Sequence, residues 1–236
     1  RPVLQWLIVA FGLISTLGEP AAAADCEPVV IDVVPIVQTG PTCLVAAALT
    51  SLSSHTQTLP GVRTLSRTLP VWPDGVDWYD LVVAVEKLGW KGVMFTGPPE
   101  SAARLVEAGF PVVALVRQAG RRHAVTVHGV QRAPARSACT TKLKALLYLD
   151  PATGESQWVT SEAFRKIQSQ HRFVVFYQGQ LEALGARGFP TETATWADAR
   201  LRAQALYRRA RKHSQPNAQS VFLLRRAVDA DPCWGT

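Results

Sequence analysis

The stretch Val37-Gln38-Thr39-Gly40-Pro41-Thr42-Cys43-Leu44-Val45-Ala46-Ala47-Ala48-Leu49 constrains this chain more than any other. Gly-Pro marks a loop turning into a helix, and the small and aliphatic residues behind it read as a buried helix. A proline fits the first helical turn, where its missing N–H has no intrahelical acceptor, so Cys43 is expected in that turn. The positive end of the helix dipole there favours a thiolate, the nucleophilic form of cysteine. The plainer reading is a small buried cysteine opening a core helix. Partners elsewhere in the chain decide between the two.

A thiolate nucleophile needs an imidazole as base and acid, and a third group to orient the ring. His123 and His128 lie in Arg122-His123-Ala124-Val125-Thr126-Val127-His128-Gly129-Val130, a strand pattern rich in Val and Thr. They are five positions apart, an odd offset, so in a regular strand they face opposite sides. His123 shares its side with Val125 and Val127, the side expected to pack on the Cys43 helix, and is therefore the choice. His128 reads as a strand-end residue without chemistry, and His55, His171 and His213 read as surface residues.

Leu146-Leu147-Tyr148-Leu149-Asp150 is an apolar strand ending on an acid, followed by the turn Pro151-Ala152-Thr153-Gly154. Asp150 can accept a hydrogen bond from the imidazole and fix its tautomer, or it can simply cap the turn. Gln38, just upstream of Cys43, can donate a side-chain N–H to a developing oxyanion, with the Cys43 backbone N–H as second donor. Otherwise Gln38 is a polar loop residue.

The order Gln38, Cys43, His123, Asp150 resembles the papain-like cysteine peptidases. The local wording is similar to the bacteriocin-processing, double-glycine leader peptidases and their stand-alone bacterial relatives. Val34 through Cys43, His123 through Val130 and Leu149 through Gly154 carry the resemblance, which spans roughly residues 29–179. Between these segments, helices are expected around Asp80–Val85 and Ser101–Ala108, with a turn and strand over Gly109–Val116. The resemblance implies an α+β papain-like fold, with the nucleophile at the N-terminus of a buried helix on an antiparallel sheet. It implies Cys43 as nucleophile, His123 as base, Asp150 as orienting residue and Gln38 as oxyanion donor, acting on a peptide or protein without metal or organic cofactor. Leu44-Val45 stands where many members carry Gly and a small residue, a change expected to narrow or reshape the cleft. A non-catalytic peptide-binding module on the same fold and a thiol-dependent acyltransferase remain the alternatives.

The 236 residues suffice for one domain with a substantial core and a small appendage. The expected division is residues 1–24 as a signal or N-terminal anchor, 25–180 as the peptidase domain and 195–232 as a helical hairpin. Arg1, the apolar run from Val3 to Ile14 and the small residues Ala21–Ala24 have the layout of an export signal. The protein is thus expected to be periplasmic, secreted or held at the inner membrane. Of the four cysteines, Cys43 is expected to stay free, and Cys26–Cys233 is the pairing chosen among the rest. The hairpin's close, Ala227-Val228-Asp229-Ala230-Asp231-Pro232, resembles the end of a tetratricopeptide repeat, and a single unit must dock to bury its face. The net charge of +7 is concentrated in part on Arg200, Arg202, Arg208, Arg209, Arg211 and Lys212. Such a face suits a protein partner or an anionic envelope surface; nucleic acid is not expected, since no binding motif accompanies the charge.

Overall fold

The structure, a computed structural model, describes residues 26–69, 71–72, 75–133 and 142–178. The expected signal segment, Cys139, Cys233 and the hairpin at 195–232 lie outside the described residues. Cys26 is buried and disulfide-bonded, and the proposed Cys26–Cys233 pairing falls outside what is described. Among the described residues no helix is long and apolar enough to cross a membrane.

The elements in chain order are β1 (Val29–Val30), α1 (Cys43–Ser53), α2 (Val62–Arg67), β2 (Val71–Trp72), β3 (Gly75–Val76), α3 (Trp78–Glu86), β4 (Lys91–Thr96) and α4 (Pro99–Glu107). Then follow β5 (Val112–Gln118), β6 (Arg121–Ala133), β7 (Lys142–Asp150), β8 (Glu155–Thr160), α5 (Ser161–Ile167) and β9 (Gln168–Tyr177). The architecture is the expected α+β arrangement, with the cysteine helix packed on an antiparallel sheet. The two inner helices form where their local signals place them. The Asp77 carboxylate accepts the Tyr79 N–H at 2.9 Å to open α3, and Pro99 sits in the first turn of α4. Gly89 and Gly109, with φ of +85° and +91°, take the left-handed conformation that follows each helix.

The large sheet runs in the order β4-β9-β5-β6-β7-β8, every neighbouring pair antiparallel, and β1 adds to β6 through Val29↔Val130 and Val30↔Gly129. Helices cover both of its faces. On one side, Ala102, Leu105 and Val106 of α4 and Phe164 of α5 pack with Val112, Ala114, Val116, Val125 and Val127. On the other, Val45, Ala48, Leu49 and Leu52 of α1 and Leu81, Val82 and Val85 of α3 pack with Val113, Ala124, Val174 and Phe176. A central strand apolar on both faces reads as a continuous run, not an alternation, and this accounts for Val112-Val113-Ala114-Leu115-Val116. Leu49 is fully buried; truncating such a side chain to Ala costs about 2–5 kcal/mol.

Two connections matter for the site. β5 and β6 are joined by the two-residue turn Ala119-Gly120, fixed by the register Gln118↔Arg121. Both turn residues have positive φ, +48° and +76°, as a hairpin turn that matches strand twist requires. β7 ends on Asp150, where the N–H groups of Thr153 and Gly154 bond the Asp150 carbonyl at 3.2 and 2.7 Å. The extended segment before α1 lies against this turn, since the Gln38 N–H donates to the Pro151 carbonyl at 2.8 Å.

Candidate active site

Cys43 is the first residue of α1 and Thr42 its N-cap. Pro41 therefore lies outside the helix, not in its first turn as the sequence reading has it. Gly40, with φ of +69°, makes the bend instead. The Thr42 hydroxyl does not cap the helix; it donates back to the Thr39 carbonyl at 2.9 Å and accepts the Thr39 N–H at 3.1 Å. The first-turn N–H groups of a helix have no intrahelical acceptor, and here the Leu44 N–H favours the ionised Cys43 sulfur. The Ala124 N–H and the His123 ring favour it as well.

His123 Nε2 lies 2.6 Å from Asp150 Oδ1. A carboxylate accepts, so Nε2 carries the proton, and Nδ1 is the ring atom left to meet the Cys43 sulfur. Asp150 is almost wholly buried, at 3% exposure. Its Oδ1 also accepts the Ala152 N–H at 2.8 Å, and its Oδ2 accepts the Gln118 side-chain N–H at 3.1 Å. One carboxylate thus meets both the turn and the imidazole.

The electrostatics follow from these contacts. Burial alone would raise the Cys43 thiol, but the His123 hydrogen bond, the Ala124 and Leu44 N–H groups and the imidazolium charge outweigh it and lower the thiol below its ordinary value. Burial alone would lower His123, but its bonds and charge attraction to Cys43 and Asp150 raise it. Burial opposes ionisation of Asp150 as well; the Ala152 N–H, His123 and Gln118 prevail and hold it below the usual carboxylate value. The three shifts point the same way, toward thiolate, imidazolium and carboxylate together.

His123, not His128, is the histidine against Asp150, but the face of β6 that the sequence reading assigned to α1 is not the one that meets it. The side of β6 that meets α1 carries Ala124 and Thr126, whose hydroxyl donates to the Ala47 carbonyl at 2.8 Å. Val125 and Val127 pack on the α4 side. Both faces of β6 are apolar, so hydrophobicity could not tell which one takes the cysteine helix. α1 runs along β6 with its first residue level with Ala124 and its second turn at Thr126, and His123 meets the thiol at the helix's N-terminal end.

His128 is not a strand-end residue either, because β6 continues to Ala133. It is buried, its Nδ1 donating to the Ile31 carbonyl at 3.0 Å and its Nε2 lying 2.9 Å from the Ser156 hydroxyl. Ile31 N–H returns a bond to the His128 carbonyl at 2.8 Å. The ring thus clamps the chain after β1 between β6 and β8. His55 is exposed, its ring near Trp90 and Phe110. The His171 side chain and His213 lie outside what is described.

Gln38 is half-buried beside the Asp150 turn, and its buried side-chain oxygen has no hydrogen-bond partner among the described residues. Leu44 and Val45, expected to narrow the cleft, are buried at 5% and 0% exposure in the α1-side core. Sequence reasoning missed the Gln118 contact and the Ala124 and Leu44 N–H donors. Backbone donors leave no trace in residue types, and only the Ala-Gly turn signal hinted that Gln118 ends a strand. Among the described residues no cluster of three or more His, Cys, Asp or Glu gathers that could hold a metal.

No family model matches the chain, and no curated protein matches it. Among solved structures, it is similar to a double-glycine-motif protease from an AMS/PCAT transporter in complex with the leader peptide, at 19% identity and a TM-score of 0.49, over 65% of this chain and 99% of that one. The peptidase domain of Streptococcus ComA, a bifunctional ABC transporter of a quorum-sensing pathway, is 14% identical at a TM-score of 0.49, over 63% and 99% of the two chains. The N-terminal peptidase C39-like domain of a toxin-secretion ATP-binding protein from Vibrio parahaemolyticus is 10% identical at a TM-score of 0.41, over 61% and 100%.

Proposed function

We propose that the protein is an exported papain-like cysteine peptidase acting through Cys43, His123 and Asp150. The observation that carries this reading is the continuous chain of contacts from a helix-terminal sulfur through the His123 ring to a buried carboxylate 2.6 Å beyond it. A buried acid, a buried imidazole and a thiol in sequence have no structural need for one another; burying them together is costly unless each charge is met. Perturbed groups so arranged mark a functional site.

The chemistry follows from the atoms present. The Cys43 thiolate attacks the carbonyl carbon of a peptide bond, forming a C–S bond while the carbonyl electrons move to oxygen. The Gln38 N–H₂ and the Cys43 backbone N–H receive that oxyanion. As the intermediate collapses, His123 Nδ1–H protonates the departing amine and a thioester remains on Cys43. Water then attacks the thioester, giving its proton to Nδ1, and release of the acid restores the thiolate–imidazolium pair. Asp150 holds Nε2–H throughout, fixing the tautomer and stabilising the imidazolium without taking its proton.

Export is supported by the signal-like pattern of residues 1–24 and by the disulfide at Cys26, a bond that persists in oxidising compartments. The test of the enzymatic reading is labelling with an electrophilic thiol probe, followed by profiling against a peptide library. Probe labelling at Cys43 together with Cys43-dependent cleavage is the expected result. Peptide binding without cleavage, unchanged in Cys43→Ala, would make the protein a binding module.

A further inference from the structure

We infer that Gln118 is a positioning residue of this site, holding Asp150 in the orientation from which it supports His123; the inference rests on the thiolate reading above and deepens it. The carboxylate has two oxygens and two duties. Oδ1 receives His123 Nε2–H and the Ala152 N–H, at 2.6 and 2.8 Å. Those two bonds meet at one atom, so they leave the carboxylate free to swing about it. The Gln118 side-chain N–H on Oδ2, at 3.1 Å, supplies the second point that fixes the plane. It is also the only one of the three carboxylate contacts that is made by a side chain outside the thiol–imidazole–carboxylate chain.

The fold is built to deliver it there. Gln118 is the last residue of β5 and pairs with Arg121, so its backbone is set by the tightest connection a hairpin allows. The first turn residue, Ala119, has φ of +48°, and it is the sole non-glycine with positive φ among the described residues. A non-glycine residue is held in that conformation only where its surroundings demand it. Here the demand is the tight β5–β6 turn, which ends β5 at Gln118 within reach of Asp150 at the end of β7. Gln118 itself is exposed while Asp150 is buried, so the amide acts as a cover as well as a donor.

The charged and titratable groups around the pair are few. His123 and Tyr148 are electrostatically coupled to Asp150, and Arg117, Arg121 and Arg122 flank Gln118 on the two strands of the hairpin. The arginines are present in every variant below, so their influence cancels in the comparison.

The test uses the full chain with Gln118→Met, which keeps the length of the side chain and removes the donor, and Gln118→Glu, which sets a second carboxylate against the first. Gln118 is exposed, so neither variant threatens folding. Two readouts are followed: the His123 ring N–H resonance in proton NMR, and the pH at which iodoacetamide alkylation of Cys43 falls to half on the acid side. Without Gln118, Asp150 is easier to protonate and free to turn. The imidazolium loses support, and the thiolate then forms at higher pH. The expected result in Gln118→Met is faster solvent exchange of the ring N–H and an acid limb moved up by roughly half a unit to one unit, with a larger move in Gln118→Glu. A wild-type limb well below that of a free thiol, on which both variants superimpose with unchanged ring N–H exchange, would overturn the role of Gln118 alone. A wild-type Cys43 that titrates as an ordinary thiol would overturn the thiolate reading and this inference with it.

Discussion

Asp150 faces His123 from the turn that closes β7, with its Oδ1 2.6 Å from the ring's Nε2 and only 3% of the residue exposed. A hydrogen bond this short between an imidazole and a buried carboxylate stabilises the charged ring. Asp150→Asn removes the charge and keeps the shape. Turnover of a cleaved peptide is expected to fall about 10²–10⁴-fold, the range typical of general acid–base support, and the rate of Cys43 alkylation at neutral pH is expected to fall with it. The same bond links the site to pH. Asp150 is depressed in the folded protein, so its contribution to stability is present above the unfolded carboxylate pKa of about 3.9 and is lost as pH falls through the folded value. Acid unfolding of wild type and Asp150→Asn, compared side by side, checks the sign.

Gln38 allows the attack step to be separated from nucleophile activation. Alkylation by iodoacetamide forms no oxyanion, whereas peptide cleavage does. Gln38→Ala is therefore expected to lower peptide turnover by about 10²–10³-fold, as loss of one oxyanion donor does, with the Cys43 alkylation rate nearly unchanged. Equal losses in both assays would mean that Gln38 acts on the thiol and not on the oxyanion.

His128 should matter for stability and not for chemistry. Burial outweighs the favourable Ile31 carbonyl and the nearby Asp32 charge and lowers its pKa, which favours the neutral ring. A base depressed in the folded state contributes stability that is present above the unfolded histidine pKa of about 6.5 and lost as pH falls through the folded value. His128→Ala leaves the Ile31 carbonyl and the Ser156 hydroxyl without their partner and opens a cavity, with an expected cost of about 1–3 kcal/mol in urea unfolding at neutral pH. The variant should lose the part of the acid sensitivity that lies just below neutrality, and Cys43 alkylation should be unchanged.

Gly129 tests the sheet itself. It pairs with Val30 on one side and Leu147 on the other, and an added Cβ would meet Leu147 Cβ at 2.7 Å and the Trp158 ring at 3.4 Å. The Leu147 Cβ is fixed to the strand and cannot step aside as a side-chain tip can. Gly129→Ala is expected to cost about 1–3 kcal/mol, the range for overpacking a filled site, measured by denaturant unfolding.

Local features of the sequence placed the start of α1, the end of β7 and the inner helices. Cys43 after Gly40-Pro41 announced a helix start, Asp150 before Pro151 announced a strand end, and α3, α4 and β5 fall where Asp80–Val85, Ser101–Ala108 and Gly109–Val116 placed them. What failed was non-local. Nothing in Gln168–Tyr177 says that the last described strand inserts between the edge strand β4 and β5. Nothing in β6 says which apolar face receives α1, so parity separated His123 from His128 but assigned the wrong side. Leu44 and Val45 were placed beside the cleft because sequence position next to Cys43 was taken for proximity to its sulfur. On a helix, the residues after the first turn into whichever layer is apolar, and here that layer is the core.

The proposed chemistry turns on Cys43, whose thiol is lowered by His123 and the N–H groups of Ala124 and Leu44. The most direct measurement is the rate of iodoacetamide alkylation of Cys43 against pH, in wild type and in His123→Ala. A wild-type midpoint well below the free-cysteine value of about 8.5 is expected, with a midpoint shifted upward in His123→Ala and neutral-pH labelling sharply slowed. Two superimposed curves with midpoints near the free-cysteine value would contradict it.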